Sequence, residues 1–364
     1  ATGQALKLRP DWELAALFQV QALQRRSNAD AIAFARTYLD EHPAAKDVRL
    51  SLVRMLVASH MYDEARREIQ TLVQASPDNP DIALTAGLLG VQMSDWTLAD
   101  THLRRALELN ASGVDTVRFY LGQVSEERKN TDEALRWYQA VSRGEQYIPA
   151  QGRIAGIMAK QGKLAEARTM LQAIQPESIQ QRVQLTHAEA AILREAAAYQ
   201  EAFDLLAQAV EKLPNEPDLL YDYAMAAEKV NRLDVLEANL RKVIELRPEH
   251  AHAYNALGYT LADRTDRLQE AYELIDKALK LSPDDPFIQD SMGWVLFRLG
   301  RAPEAREYLE KAFKRRPDPE IAAHLGEVLW NQGQHDEAQR IWRLTLEQHP
   351  GNETLQAVIK KFAQ

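Results

Sequence analysis

The chain contains no cysteine. That one absence excludes disulfides, thiolate zinc sites and cysteine nucleophiles together. It does not settle a compartment, since cytosolic and periplasmic proteins alike can lack the residue. Glycine and proline are sparse, 15 of each in 364 residues, and alternating β-branched runs, the usual mark of strands, are nearly missing. No apolar run is long enough to cross a bilayer. The opening "ATGQALKLRPDW" has no long apolar segment and does not read as a signal peptide. Positive charge is in deficit, with a formal net charge of −9. That balance argues against sequence-independent binding to nucleic acid, which needs a basic face to replace counterions. Motifs of chemistry are missing too: there is no G-x-x-x-x-G-K-[ST], no G-x-G-x-x-G after a strand, no H-E-x-x-H and no G-x-S-x-G.

What is present is helix-forming and apolar. Ala, Leu, Glu, Gln and Arg are abundant. Hydrophobic residues make up 46% and charged residues 27%, enough for a packed core under a well-solvated surface. The length allows two or three ordinary domains or one long repeat array. A period decides for the array. An anchor falls at Ala31, Ala65, Ala99, Ala134, Ala167, Ala202, Leu236, Ala271, Ala305 and Ala338, and nine steps cover 307 residues, a mean near 34. Prolines keep the same beat at Pro43, Pro77, Pro214, Pro248, Pro283, Pro317 and Pro350. A small residue stands twelve before the anchor at Gly87, Gly122, Ala155, Ala190, Ala224, Gly293 and Gly326, and thirteen before it at Gly258.

This pattern resembles the tetratricopeptide repeat, a unit of two antiparallel helices with a period of 34 residues. The resemblance implies an all-α fold: a right-handed superhelical α-solenoid of about ten helix-turn-helix repeats with a C-terminal capping helix. Physical reasons support each recurring position. Gly or Ala in the first helix lets the second approach closely, and the anchor Ala is the other side of that contact, where a larger residue would overpack. The terminal Pro stops the second helix. The Asp or Asn after it, as in "SPDNPD" and "SPDDPF", is placed to cap the next helix. Pro80, Pro217, Pro286 and Pro319 suit a first helical turn. A single helix pair cannot bury its apolar face, so it must stack on a neighbour. Two stretches break the rhythm, "SRGEQYIPAQG" near 142–152 and "IQPESIQQRVQ" near 174–184. They suggest an N-terminal sub-array over 1–145, a C-terminal one over 146–350 and a cap over 351–364.

Candidate chemistry is scarce. His250 and His252 are two apart and would point away from each other on a helix, so capping or solvated roles suit them better than a metal pair. Lys311, Lys314, Arg315 and Arg316 close a helix, where cations suit the negative end of the dipole. No catalytic residue, metal ligand or cofactor is expected. Function should lie in the concave surface of the array, which the resemblance assigns to the first helix of each repeat, mainly its second, fifth, ninth and twelfth positions. In the later repeats these hold Tyr221, Tyr259, Phe287, Asp290, Trp294, Phe297, Glu327 and Trp330. Exposed aromatics rimmed by charge mark binding sites, so these residues are expected to form a protein-binding strip; packing between helices is the alternative. His324, at the sixth position of its helix, reads more readily as a satisfied surface histidine. The Lys and Arg pattern that clamps a C-terminal carboxylate in some arrays is missing, with Asn255, Asp290, Ser291, Ala323 and His324 at those places.

The segment from "AYNALGYTLADRTDRLQEAYELIDKALKLSPDDPFIQDSMGWVLFRLG" through "PDPEIAAHLGEVLWNQGQ" carries a closer resemblance. Over 251–350 the chain resembles the tetratricopeptide-repeat lipoproteins of the proteobacterial outer membrane, among them adaptors of a periplasmic carboxyl-terminal processing protease. The resemblance implies a non-catalytic scaffold at the periplasmic face of the outer membrane. Its implied partners are a periplasmic serine protease and the peptidoglycan hydrolases brought to it. The family's lipid-bearing Cys has no counterpart here, so a soluble version without the N-terminal lipid anchor is expected. Two other functions compete: an assembly factor for envelope machinery with no protease partner, and an enzyme with an unrecognised site.

Overall fold

A computed structural model describes residues 2–142 and 144–362. It holds 22 helices, and no strand among the described residues. The chain forms two compact units, 1–192 and 193–364. The first contains α1 (Thr2–Leu8), α2 (Glu13–Gln24), α3 (Asn28–Glu41), α4 (Lys46–Ala58), α5 (Tyr62–Ala75), α6 (Pro80–Gln92), α7 (Trp96–Glu108), α8 (Val114–Glu127), α9 (Thr131–Gln139), α10 (Tyr147–Lys160) and α11 (Leu164–Gln172), and ends within α12 (Ile179–Glu195). The second contains α13 (Tyr199–Lys212), α14 (Pro217–Lys229), α15 (Leu233–Leu246), α16 (Ala251–Arg264), α17 (Leu268–Leu281), α18 (Pro286–Arg298), α19 (Ala302–Arg315), α20 (Pro319–Asn331), α21 (His335–Gln348) and α22 (Glu353–Phe362). The division falls beside the second off-rhythm stretch, in the longest helix of the chain. The expected cap is α22, and residues 363 and 364 of that segment lie outside the described residues.

The period becomes packing as follows. All ten anchors lie on the second helix of a pair, and all are buried. Opposite the recurring glycine of the first helix, at Gly87, Gly122, Gly258, Gly293 and Gly326, stands a bulky side chain four residues after the anchor. A Cβ on Gly122 would meet Tyr138 at 2.5 Å, one on Gly258 would meet Ile275 at 2.6 Å, and one on Gly293 would meet Leu309 at 2.5 Å. The anchor and the glycine thus make room for a large residue between the helices. This is how interior packing density is reached with a minimal number of side chains.

Caps close the turns as the composition suggests. Asn79 accepts from the N–H groups of Asp81 and Ile82, Asp285 from Phe287 and Ile288, and Asp318 from Glu320. In each case Pro occupies the first turn that follows, where its missing N–H is no loss. His250 caps α16, its Nδ1 accepting from the Ala253 N–H at 3.1 Å. Ion pairs tie several second helices to the next one along the stack: Arg36–Glu64 at 2.6 Å, Arg66–Asp95 at 2.7 Å and Arg104–Glu133 at 2.6 Å in the first unit. Arg267–Glu237 at 2.9 Å does the same in the second.

Candidate functional site

The candidate residues all belong to the second unit, and α18 is their centre. Most helices of the chain are buried along one stripe. In α18 every residue from Ile288 to Leu296 is buried, because α16, α17, α19 and α20 all pack against it. Ile288, Met292, Val295 and Leu296 supply the apolar content such burial needs. Three polar residues are buried with them, and each finds a partner, as burial demands. Gln289 Nε2 donates to the Pro283 carbonyl at 2.8 Å. The Ser291 hydroxyl donates to the Phe287 carbonyl at 3.0 Å. The Asp290 carboxylate accepts from His324 Nδ1, with both oxygens at 3.0 Å.

His324 sits on α20 and is buried, so the expectation of a surface histidine is overturned. Its ring stacks on Trp294 at 4.4 Å and 20°, and Tyr259 of α16 lies 6.0 Å from it. The Tyr259 hydroxyl donates to Glu320 Oε1 at 3.1 Å. These two residues are 61 apart in sequence: α16 reaches over α18 to α20, the first helix two repeats further on. Burial pushes the Tyr259 hydroxyl up strongly, and nearby carboxylates add to the effect. Burial also raises Glu320 above the usual carboxylate range, against the pull of His324. For His324 burial alone would lower the value, but the charge and hydrogen bond of Asp290, with Glu320 and Asp263 behind, raise it.

Above this cluster lies a cleft of about 300 Å³, lined in part by Glu228, Asn255, Tyr259, Phe287, Asp290 and Glu320. Phe287 is exposed at its mouth, with the Arg316 guanidinium 4.9 Å over the ring. Asn255 Oδ1 is buried without a hydrogen-bond partner. The arrangement offers an aromatic edge, a tyrosine hydroxyl and a surplus of acceptors over donors. It suits an extended polypeptide segment bearing N–H groups.

The expected strip is therefore divided. Tyr259, Phe287 and Asp290 meet at the cleft. Trp294 is 9% exposed and belongs to the core beneath it, with Phe297 beside it at 5.7 Å. Trp330 is turned away, stacked on His335 at 4.2 Å and Trp342 at 5.9 Å and lying 5.5 Å from Phe362 of α22. A second cleft, of about 440 Å³, opens there beside Trp330, Trp342, Ile359 and Phe362. Glu327 is held by Lys361 at 2.7 Å. Tyr221 packs on His250 at 5.2 Å, and burial raises its hydroxyl. Glu320 and His324 are the members that the positional reading missed. A signal existed, since Asp290 and His324 are 34 apart, within one residue of the local repeat step, which brings them near each other on successive first helices.

Stacked helix pairs with a groove-side cleft define the class of protein: an α-solenoid whose use is to hold other proteins. Tetratricopeptide repeat models match residues 22–88, and again 84–147, 221–286 and 291–353. The chain belongs to the tetratricopeptide repeat family, whose members are generally non-catalytic protein-binding scaffolds. Over 214 residues it is 44% identical to a TPR repeat-containing protein of Pseudomonas aeruginosa, a match covering 59% of this chain and 36% of that one. It is 24% identical over 375 residues to cellulose synthase operon protein C of Pseudomonas fluorescens, covering 85% and 29% of the two. The chain thus spans 36% and 29% of the length of these curated relatives. A thermophilic TPR protein of Thermus thermophilus is similar in structure at 23% identity, with a TM-score of 0.44 over 48% of this chain and 95% of that one.

Proposed function

We propose that this chain is the scaffold of a periplasmic proteolytic system. It binds a serine protease of the carboxyl-terminal processing type and presents peptidoglycan hydrolases to it, with no chemistry of its own, at the periplasmic face of the outer membrane. The observation that supports a polypeptide ligand is the cleft over α18, where Phe287 is exposed beside Tyr259, Glu320 and the unpaired acceptor of Asn255. The choice of partners rests on the resemblance over 251–350. The test mixes purified chain, protease and one hydrolase. The expected result is co-elution of chain and protease, with faster cleavage of the hydrolase than by protease alone. Separate elution and unchanged cleavage would refute the adaptor role.

A second reading has its own support. The likeness to cellulose synthase operon protein C extends over 85% of this chain, which favours a scaffold for an envelope assembly machine without a protease. Affinity capture from envelope extract distinguishes the two: recovery of synthases or surface-structure components, with no protease, favours the second.

A further inference from the structure

Three successive first helices, α16, α18 and α20, bring five titratable groups within electrostatic reach of one another. Tyr259 and Asp263 come from α16, Asp290 from α18, and Glu320 and His324 from α20. The His324–Asp290 pair is the innermost, with side chains 11% and 6% exposed. Arg264 pairs with the Asp263 carboxylate at 2.9 Å, and Asp318, the cap of α20, adds negative charge near Glu320. Arg298 of α18 donates to the Ala262 carbonyl at 2.6 Å and the Asp263 carbonyl at 3.3 Å, so it holds the last turn of α16. Glu228 and Lys229 of α14 stand on the far wall of the cleft. α17, α19 and α21 set Ile275, Leu309 and Trp342 against Gly258, Gly293 and Gly326. Lys361 of α22 is paired with Glu327.

We propose that the His324–Asp290 pair is a proton-operated latch on the cleft. With His324 charged, the Tyr259–Glu320 bridge holds α16 and α20 together across α18. Loss of that proton frees the bridge and opens the cleft to a polypeptide segment. The proposal rests on reading the cleft as a binding surface. Its physics is that of a buried charge losing its partner. Asp290 is tolerated inside because His324 neutralises it, and an uncompensated buried carboxylate is costly. Once His324 is neutral, Asp290 and Glu320 face one another without it, while Asp263 keeps Arg264 as its partner at 2.9 Å. Among the described residues of the cluster, Tyr259 and Glu320 join α16 to α20 by a hydrogen bond, so repulsion is relieved by parting there.

The direction follows from both groups. His324 is raised above its ordinary 6.5, so its contribution is fully present below pH 6.5 and is lost as pH rises through the higher folded value. Glu320 is raised by burial, so it too favours the packed state when protonated, and its ionisation acts in the same sense. The latch is closed in mild acid and opens on the alkaline side of 6.5.

The test uses the chain alone. The His324 ring is followed by NMR across the pH range while Trp294 emission and amide exchange in α16 and α20 are recorded. A protonated imidazole stacked on an indole quenches it, so emission should rise with the same midpoint, above pH 6.5, and the rise should vanish in Trp294→Phe. Exchange in α16 and α20, corrected for its intrinsic pH dependence, should increase about tenfold through that midpoint. Tyr259→Phe keeps the ring and removes the bridge. It should show fast exchange at acid pH while His324 still titrates, which keeps the test sound even if Asp290→Asn does not fold. A His324 midpoint below 6.5, or titration with no response in Trp294 and the two helices, overturns the latch. Because no partner is present, that failure leaves the scaffold reading intact, and failure of partner binding leaves the titration intact.

Discussion

Replacing Gly326 by Ala adds one methyl group at the tightest helix crossing in the second unit. The new Cβ would lie inside van der Waals contact with Nε1 and Cε2 of Trp342, and 2.8 Å from Cδ1. Whether this is costly depends on what can yield. Trp342 is almost fully buried, and its ring forms a three-ring cluster with Trp330 at 5.9 Å and Phe362 at 5.5 Å, stacked with both. A rotation of the indole therefore disturbs α20, α21 and α22 together. Overpacking of this kind costs about 1–3 kcal/mol. Against it stands the gain from replacing a helical glycine, about 0.5–1 kcal/mol. Because the indole is held by two other rings, the cost should fall in the upper part of its range, about 2–3 kcal/mol, for a net loss of about 1–2.5 kcal/mol. Gly156 in α10 is the control, since a Cβ there meets nothing within 4 Å; Gly156→Ala should stabilise by about 0.5–1 kcal/mol. Urea unfolding gives the energies, and hydrogen exchange gives the place, because a repeat array loses stability locally. Protection should fall first in α20 to α22, and Gly326→Ala with Trp342→Phe should recover part of it. Wild-type stability in Gly326→Ala, with unchanged protection in those helices, would refute the packing argument.

Other expectations follow from the same geometry. Ala305→Leu, at a fully buried anchor, should cost about 1–3 kcal/mol, read as early loss of protection in α18 and α19. Trp294→Ala should lower stability by about 3–5 kcal/mol, as for a core tryptophan, while Phe287→Ala at the exposed mouth should change it by no more than about 0.5 kcal/mol. If the cleft binds a polypeptide, Phe287→Ala should still weaken that binding by about 2 kcal/mol in a titration. In the first unit the pH dependence has the opposite sign to the latch. The Arg104 hydrogen bond holds Glu133 below its ordinary 4.5, so that contribution is present above 4.5 and is lost as acid titrates the lowered carboxylate. Glu133→Gln should flatten this acid limb, with a cost near 0.2–1 kcal/mol because the pair is partly exposed; an unchanged acid limb in the variant would count against it.

The repeat itself was legible from residues alone. Ten anchors near 34 apart predict ten helix pairs, and α2 to α21 supply them. Caps at Asn79, Asp285 and Asp318 followed from turn chemistry, because a cap needs only residues within three positions of itself. So did the small residues at Gly122, Gly258 and Gly293, since their contacts lie within one repeat. Placement of the groove residues did not follow. Positional equivalence treats Trp294 and Trp330 alike, as ninth and twelfth positions of first helices, yet one is sealed beneath His324 and the other is stacked toward α22. Periodicity encodes contacts within a repeat and between immediate neighbours. It does not encode how far the first helix of one repeat leans toward the first helix two repeats on. Only the tertiary structure decided that Tyr259 is joined to Glu320 across α18 and that a histidine and an aspartate are buried as a pair beside them.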